Sequence, residues 1–381
     1  MIAMQASKST PASGKAHGVS HILFSHWFPT PTLLLPKAAG VDISDASIKW
    51  LVLERESDDM RVQAHGDEPL SEGIVVEGVV RDVPALAQAL KELKTKWKGI
   101  ECAHAALPEE AAYVFSMHVP LGTNREQALR MIEFELEGRV PIPPSAAVYD
   151  FNIIMEQDGE AGMEIGVTVF PRELSQSYAE AFAGSGINLL SLEVEASSIA
   201  RSVSSDSPQE PITLLVDFGR KRTGFAVLKQ GTPIFTSTVA VGGEAISRAI
   251  EDKLSLSPAD AEVFKDEQGL LAEGGTKSPG LEVVAKSAEA LADEVAKHYH
   301  YWDTRRNEQG NRMTPVGRVV LVGGSANLMG LDDYIAGRVQ AEVIRGNIWR
   351  HVCEFSEYIP PIDRRTSFQY ATALGLALRA L

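Results

Sequence analysis

The chain carries the stretch Gly40-Val41-Asp42-Ile43-Ser44-Asp45-Ala46-Ser47-Ile48-Lys49, in which an aspartate near the end of an apolar run precedes a tight, hydroxyl-bearing turn and a second β-rich run. The same order recurs in Val216-Asp217-Phe218-Gly219-Arg220-Lys221-Arg222-Thr223-Gly224. A turn between two strands presents backbone N–H groups to an anion, and glycine or hydroxyl residues let a phosphate approach closely. The two stretches therefore predict two phosphate-binding turns.

A third turn, Val322-Gly323-Gly324-Ser325-Ala326, follows the strand-like run Val319–Val322 and leads into a helical pattern. A strand-to-helix turn of small residues is suited to contact the sugar or base of a nucleotide. Taken together, the three turns predict two halves of one protein that close over one nucleotide.

Bulk composition narrows the function classes. A chain of 381 residues is long enough for two domains or one two-lobed domain. The net charge of −15 argues against a dedicated nucleic-acid binder, which normally carries a basic face. The two cysteines, Cys102 and Cys353, match neither a metal-ligand spacing nor a disulfide framework, so we expect reduced thiols and a cytoplasmic protein.

No apolar run approaches the roughly 20 residues that a membrane-spanning helix needs. The best candidate, His21 to Leu35, is short and interrupted by Pro29 and Pro31. It also lacks the features of a signal peptide. We favour docking of this apolar patch on the protein's own surface, with a membrane or a partner as the alternatives.

Composition and periodicity divide the chain into six segments. We predict a disordered tail with an apolar patch (1–36), a first lobe (37–111), an inserted α+β subdomain (112–193), a return helix and linker (194–208), a second lobe (209–345), and a C-terminal segment and helix that return to the first lobe (346–381). The helical face of Leu86, Leu90 and Leu93 and the alternation from Tyr113 to Val119 are the clearest local patterns.

Asp42 and Asp217 are the strongest candidates for chemistry. Mg²⁺ bound to a nucleotide keeps most of its waters, and carboxylates hold those waters in place. An aspartate at a strand end is also a common turn-capping residue, and for either residue alone that explanation would be preferred. Because matching turns occur in both halves, we favour a phosphate site with Mg²⁺ held through water.

Other patterns are weaker. Gly242 and Gly243 precede a helix, where a phosphate or sugar contact competes with a plain strand-to-helix turn. Glu262 and Lys265 lie on one side of a predicted helix, where they flank an adenosine or form a solvated ion pair. His298 lies on an apolar helical stripe, so we expect a core or interface residue and not a metal ligand. The sequence contains no P-loop, zinc-protease or serine-hydrolase motif.

The three turns, in this order, resemble those of the actin-like ATPases. Within that superfamily the chain resembles the type IV pilus assembly PilM family from about Gly40 to its C-terminus. The resemblance also rests on Ile132–Glu135, Val140–Pro143, Tyr149–Phe151, Val241–Glu244, Ala261–Lys265 and Ala371–Arg379. It implies an α/β protein with an actin-like two-lobed ATPase fold and an inserted α+β subdomain in the first lobe.

The resemblance further implies an ATP-binding cytoplasmic adaptor with Mg²⁺ as cofactor. PilM proteins bind the cytoplasmic N-terminal peptide of the membrane protein PilN in a groove beside the inserted subdomain, and so connect the inner-membrane platform to the pilus motor. The positions that match the family's nucleotide-binding segments are Asp42, Ser44, Ser47, Lys49, Asp217, Gly219, Thr223, Gly224, Gly242, Gly243, Glu262, Lys265, Gly323, Gly324 and Ser325. The resemblance leaves open whether the chain forms a homo-oligomer.

The turns depart from the family pattern. Ser44 stands where the family normally has glycine, and Asp45 adds a negative charge close to the expected phosphate. Arg220, Lys221 and Arg222 replace small and hydroxyl residues, and their positive charge can offset that of Asp45. We therefore expect nucleotide binding with little or no hydrolysis. A small-molecule phosphotransferase of the actin-like kinase type and an FtsA-like membrane-associated filament protein remain as alternatives.

Overall fold

Two five-stranded sheets with the same strand pattern form the framework of the chain in the computed structural model. The structure describes residues 36–380 apart from 57–58, 157–161, 206, 271–278, 307–309 and 311. All but the last residue of the tail that we predict over 1–36, together with its apolar patch, lies outside the described residues.

The first sheet has the strand order β10-β6-β1-β2-β3. β6 lies parallel to both β1 and β10, whereas β2 is antiparallel to β1 and to β3. The bounds of its strands are β1 Ala38–Ile43, β2 Ser47–Glu56, β3 Asp59–Pro69, β6 Cys102–Leu107 and β10 Asn188–Val194. A small hairpin, β4 Val75–Val76 with β5 Val79–Val80, stands beside it.

The second sheet repeats this plan with the order β13-β12-β11-β14-β15. β11, β14 and β15 are parallel, and β11, β12 and β13 form an antiparallel meander. The bounds of its strands are β11 Thr213–Phe218, β12 Thr223–Lys229, β13 Thr232–Val239, β14 Arg318–Val322 and β15 Glu342–Arg345. Asp42 and Asp217 are the penultimate residues of the equivalent strands β1 and β11, which confirms the internal duplication suggested by the two turns.

Helices cover the two sheets and fill their cores. The helices of the first sheet are α1 Val83–Lys94, α3 Arg172–Ser185, α4 Glu195–Val203 and α10 Ala371–Ala377. Those of the second sheet are α5 Gly243–Leu254, α6 Pro258–Glu267, α7 Pro279–Thr304 and α8 Leu331–Ala336. A short helix, α9 Arg364–Ser367, precedes α10. Leu86, Leu90 and Leu93 are buried in the first core, which confirms the predicted face of α1. Chain-terminal α10 packs on β1 and α4, and so returns to the first sheet.

A third, smaller sheet with the order β7-β9-β8 carries its own core. Its strands are β7 Tyr113–Val119, β8 Ala147–Glu156 and β9 Met163–Pro171, and helix α2 Arg125–Arg139 packs on it. Asn124 caps α2 with a capping box. The range 112–193 that we predict for the insert is longer than this unit, because α3 and β10 belong to the first sheet and its core.

No helix within the described residues is long and apolar enough to cross a membrane.

Candidate functional site

A cleft of about 870 Å³ lies between the two large sheets, at the ends where their parallel strands stop. It is lined by the predicted residues Asp42, Ser44, Ser47, Lys49, Asp217, Gly219, Gly224, Gly243, Glu262, Lys265, Gly323, Gly324 and Ser325. Because the carboxyl ends of parallel strands share one edge of a sheet, residues far apart in sequence meet here. Two predicted residues, Thr223 and Gly242, are not among those that line it.

Thr223 and Gly242 support the second turn on the side away from the cleft. Thr223 is fully buried, and its hydroxyl donates a hydrogen bond to the Val241 carbonyl oxygen at 2.6 Å. A Cβ atom at Gly242 would lie 2.4 Å from the Arg220 carbonyl oxygen, so only glycine allows this approach. Both residues therefore support the turn and do not face the cleft.

The first turn is closed by its own serines. The Ser44 amide and hydroxyl both donate to the Ser47 carbonyl oxygen at 2.9 Å, and the Ser47 amide donates to the Ser44 hydroxyl at 3.2 Å. The Lys49 ammonium group donates to the Ser47 hydroxyl at 3.0 Å. The serine that replaces the family's glycine therefore gives the turn a fixed shape.

The second turn contacts two other predicted motifs, the Gly242–Gly243 pair and the Gly323–Ser325 turn. The Gly219 carbonyl oxygen accepts from the Gly243 amide at 3.0 Å and from the Ser325 hydroxyl at 3.2 Å. A Cβ atom at Gly243 would lie only 2.0 Å from the Ser325 hydroxyl oxygen. The start of α5 and the turn after β14 are thereby held against the turn after β11.

The floor of the cleft is rich in carboxylates. Burial, and then the negative charge of Asp42, raise the pKa of Asp217 to about 7. Burial raises the pKa of Asp42 to about 6, with Lys49 opposing the shift and Asp67 adding to it. The negative charge of Asp42 in the first lobe therefore acts on Asp217, its equivalent in the second lobe, across the cleft.

Glu109 and Glu195 also line this floor, and our sequence reasoning missed them. Burial and the neighbouring acidic groups raise the pKa of both carboxyls well above the ordinary value. Glu109 is 5% exposed, and its Oε2 atom has no hydrogen-bond partner among the described residues. A Cβ atom at Gly224 would lie 2.5 Å from that oxygen, so glycine in the second lobe admits a carboxylate of the first.

A signal for these two glutamates was present in the sequence. Glu109 follows strand β6 closely and Glu195 follows β10 directly, and both strands run parallel to β1, which carries Asp42. Parallel neighbours end at the same sheet edge, so acidic residues after β6 and β10 belong with Asp42. Recognising this required the strand order, which the sequence alone did not supply.

The opposite wall is built from α5 and α6. The Lys265 ammonium group donates to the Ser247 hydroxyl at 3.1 Å and pairs with Glu262, whose carboxylate also contacts Ser247. Lys265 is 4% exposed whereas the side chain of Glu262 is 54% exposed, so this ion pair is solvated only on the Glu262 side. Burial opposes ionisation of Glu262, but Lys265 and Ser247 outweigh it and hold its pKa below the usual value.

Within the described ranges, no group of three or more His, Cys, Asp or Glu side chains is arranged to hold a metal ion directly. His298 stacks on Phe225 with 4.0 Å between the ring centroids, and its Nδ1 lies 2.8 Å from the Glu294 carbonyl oxygen. This packing confirms the prediction of a core histidine.

A second concave surface, which we call the insert groove, lies between the end of β7 and helix α2. Its volume is about 660 Å³, and it is lined by Met117, Pro120, Leu121, Gly122, Thr123, Gln127, Arg130, Met131, Phe134 and Glu135. Phe134 is 84% exposed and Leu121 is 49% exposed, which is unusual for large apolar side chains. The groove thus offers an apolar surface with charged residues at its margin.

The model of the family described as type IV pilus assembly protein PilM matches residues 40–381. The chain belongs to this family. Among solved structures, a PilM–PilN type IV pilus biogenesis complex superposes with a TM-score of 0.71 at 20% identity, covering 90% of this chain and 98% of that one. The two-lobed actin-like fold with an insert in the first lobe is thereby confirmed.

More distant relatives share the fold. MreB5 of Spiroplasma citri bound to ADP matches with a TM-score of 0.53 at 13% identity, covering 91% of this chain and 96% of that one. The cell division protein FtsA of Enterococcus hirae is 22% identical over an alignment of 329 residues that covers 77% of this chain and 74% of the relative.

The departures of this PilM-family chain from the usual turn pattern are connected in space. Asp45 of the first turn and Arg222 of the second form an ion pair with 3.2 Å between Oδ1 and Nη2. Arg222 also pairs with Glu110, which lies after β6. We expect the negative charge of Asp45 to oppose phosphate binding. Arg222, one of the three cations that we expect to offset this charge, therefore neutralises it directly.

Proposed function

We propose that this PilM-family chain is an ATP-binding adaptor of a type IV pilus assembly complex, and that it binds the cytoplasmic N-terminal peptide of a PilN-like membrane protein. The observation that carries the nucleotide part is the convergence of two equivalent turns and the Gly323–Ser325 turn on one cleft. The observation that carries the peptide part is the exposed apolar insert groove, together with family membership.

The carboxylate floor fits a magnesium–nucleotide complex. Asp42 and Asp217 would hold Mg²⁺ through its waters, and the cation would supply positive charge to the phosphates. The unpartnered Glu109 Oε2 atom supports this assignment, because a buried carboxylate oxygen without a donor is costly. Gly243, Ser325, Glu262 and Lys265 would contact the nucleoside on the opposite wall.

We assign no catalytic residue and propose that hydrolysis is slow or absent. ATP then acts as a ligand that joins the lobes, since a ligand bound only to the closed form stabilises it by mass action. The adaptor would lie at the cytoplasmic face of the inner membrane, held there by PilN-like and other platform or motor proteins. Self-association is compatible with this role.

A single-turnover experiment tests the nucleotide part. Purified full-length protein in excess over labelled ATP and Mg²⁺ is separated from free nucleotide, and the bound fraction is analysed for ATP and ADP over several hours. We expect retained, intact ATP, and loss of retention in Asp217→Ala. Failure of the unaltered protein to retain nucleotide, or rapid formation of ADP, contradicts the proposal.

A peptide-binding assay tests the adaptor part. We expect Phe134→Ala to weaken binding of a PilN-like N-terminal peptide by about 10- to 30-fold, as for an aromatic hot spot. The variant should fold normally, because Phe134 is exposed. Ile153→Ala, at a 52% exposed position of β8 outside the groove, serves as the control. Equal effects of the two substitutions would place the peptide elsewhere.

A further inference from the structure

Arg222 connects the two lobes across the cleft. Its side chain leaves the second turn and contacts the carboxylates of Asp45 and Glu110, which belong to the first lobe. Asp45 is itself fixed, because its carboxylate accepts from the Glu77 amide at 3.1 Å and from the Gly78 amide at 3.0 Å. The contact therefore joins two anchored turns and not two freely moving side chains.

These three charged groups are partly shielded from water. The side chains of Arg222, Asp45 and Glu110 are 29%, 16% and 25% exposed, respectively. Burial opposes the charge of Arg222, but Glu110 and Asp45 outweigh it, and the pKa of the guanidinium stays above its usual value. Pairs in such surroundings are screened by salt less than exposed pairs are.

Two other cations of the cleft, Arg220 and Lys265, pair within their own lobe. Arg220 is 73% exposed and lies 3.9 Å from Glu244, and Lys265 pairs with Glu262. Arg222 differs because its carboxylate partners come from the opposite lobe. Its backbone also belongs to the turn, since its carbonyl oxygen accepts from the Gly219 amide at 3.1 Å.

A guanidinium presents the same planar fork to carboxylates and to phosphates. Asp45 and Arg222 both belong to the turns where, under the proposed function, the phosphates of the nucleotide lie. A terminal phosphate that reaches this place meets a cation already paired with two carboxylates. The phosphate and the carboxylates then compete for one group.

We propose that Arg222 selects for nucleotides that carry a β- or γ-phosphate, and that Asp45 and Glu110 compete with that phosphate for its guanidinium. This inference rests on the proposed nucleotide-binding function. A nucleoside diphosphate or triphosphate draws Arg222 away from the carboxylates, whereas a monophosphate leaves the pair between the lobes intact. The site thereby distinguishes nucleotides by the number of their phosphates. The ion pairs of Arg222 between the lobes are lost with a diphosphate or triphosphate and kept with a monophosphate.

Calorimetric titration of the full chain with ATP, ADP and AMP in Mg²⁺ tests the proposal. We expect Arg222→Gln to weaken ATP binding by about 10- to 100-fold, the effect of losing one charge-assisted contact, and to change AMP binding less than about twofold. In Glu110→Gln the side chain keeps the shape of glutamate but lacks the negative charge that competes with phosphate, so ATP should bind about two- to fivefold more tightly. Glu110 is preferred to Asp45 here because Asp45 also holds the backbone at residues 77–78.

Opposite signs for the two variants distinguish this role from a purely structural tie, which would make both variants bind ATP less well. Arg318→Gln is the matched control: Arg318 is 26% exposed, pairs with Glu342 at 2.8 Å, and lies at the far end of β14. Equal losses for ATP and AMP in Arg222→Gln, or unchanged ATP binding, overturn the inference while leaving the proposed function intact. Absence of nucleotide binding by the unaltered chain overturns both.

Discussion

The interlobe cleft and the insert groove differ in the chemistry of the residues that line them and in how far apart those residues lie in the sequence. The cleft brings together carboxylates and cations from strand ends that lie far apart in sequence, such as Asp42, Glu109 and Asp217. The insert groove comes from one continuous stretch, Met117 to Glu135, and its main feature is exposed apolar surface. A ligand of the cleft must balance charge, whereas a ligand of the groove is bound by removing apolar area from water.

This difference implies that the two sites respond to different perturbations. Substitutions that change charge or close packing between the lobes should alter the cleft and leave the groove unaffected. The reverse holds for substitutions in the small sheet and α2. A region of contact between the insert and the second lobe is where the two sites can influence each other.

The largest effect is expected from Gly243→Ala. The added Cβ atom would lie 2.0 Å from the Ser325 hydroxyl oxygen, so the cleft wall must shift. Overpacking of about 1–3 kcal/mol predicts a loss of roughly 5- to 150-fold in nucleotide affinity. Peptide binding in the insert groove, measured without nucleotide, should not change, and both affinities can be measured on the same preparation.

The matched control is Gly138→Ala in helix α2, where a Cβ atom would meet nothing within 4 Å. Alanine should stabilise this helix slightly, by about 0.5–1 kcal/mol, without affecting nucleotide binding. If Gly243→Ala reduced peptide affinity as strongly as nucleotide affinity, the two sites would not be independent in the way that their construction indicates.

A second prediction concerns pH. The pKa values of Asp217, about 7, and Asp42, about 6, are raised above those of unfolded aspartates. Between roughly pH 4 and 7 the folded state therefore holds protons that the unfolded state has released, and the nucleotide-free protein loses stability as pH rises through this range. Asp217→Asn cannot ionise, so its melting temperature should fall less.

The measurement is the melting temperature in EDTA at pH 5 and pH 8. We expect the unaltered protein to lose about 3–6 °C more than Asp217→Asn over this interval. Phe134→Ala should follow the unaltered protein, because the groove is apolar. If the melting temperatures of the unaltered protein and of Asp217→Asn fell by the same amount between pH 5 and pH 8, the raised pKa of Asp217 would be contradicted.

The smallest effect concerns the contact between the insert and the second lobe. Lys229 of β12 pairs with Glu164 of β9 at 2.5 Å, and Glu164 is largely buried. We expect Mg²⁺ and ATP to change peptide affinity by about two- to threefold, and the double variant Glu164→Gln/Lys229→Gln to abolish this change because it removes the charged link.

The exposed pair of Lys37 and Glu54 at 2.8 Å provides the control, with both residues changed to glutamine. That variant should retain the influence of ATP on peptide binding. Retention of the influence in the Glu164/Lys229 variant as well would show that the link runs through other contacts.

Much of the fold could be predicted from the sequence because its signals are local. Helix α1 follows from the spacing of Leu86, Leu90 and Leu93, and β7 follows from the apolar residues at every second position from Tyr113 to Val119. The turns after β1 and β11 could be recognised because glycine and serine have specific conformational roles there. The placement of Thr223 and Glu109 could not be predicted, since a side chain's direction at a strand end depends on the neighbouring strand.

The sequence by itself determined local elements such as α1 and β7, the two equivalent turns with their aspartates, and the continuous segment that carries the insert groove. Each depends on residues close together in the chain, where periodicity and turn chemistry act directly. Only the tertiary structure decided which carboxylates share the cleft, that Lys265 is buried, and that Arg222 meets Asp45 across 177 positions. Those facts depend on how two sheets are placed against each other, because burial and charge pairing are properties of the assembled lobes.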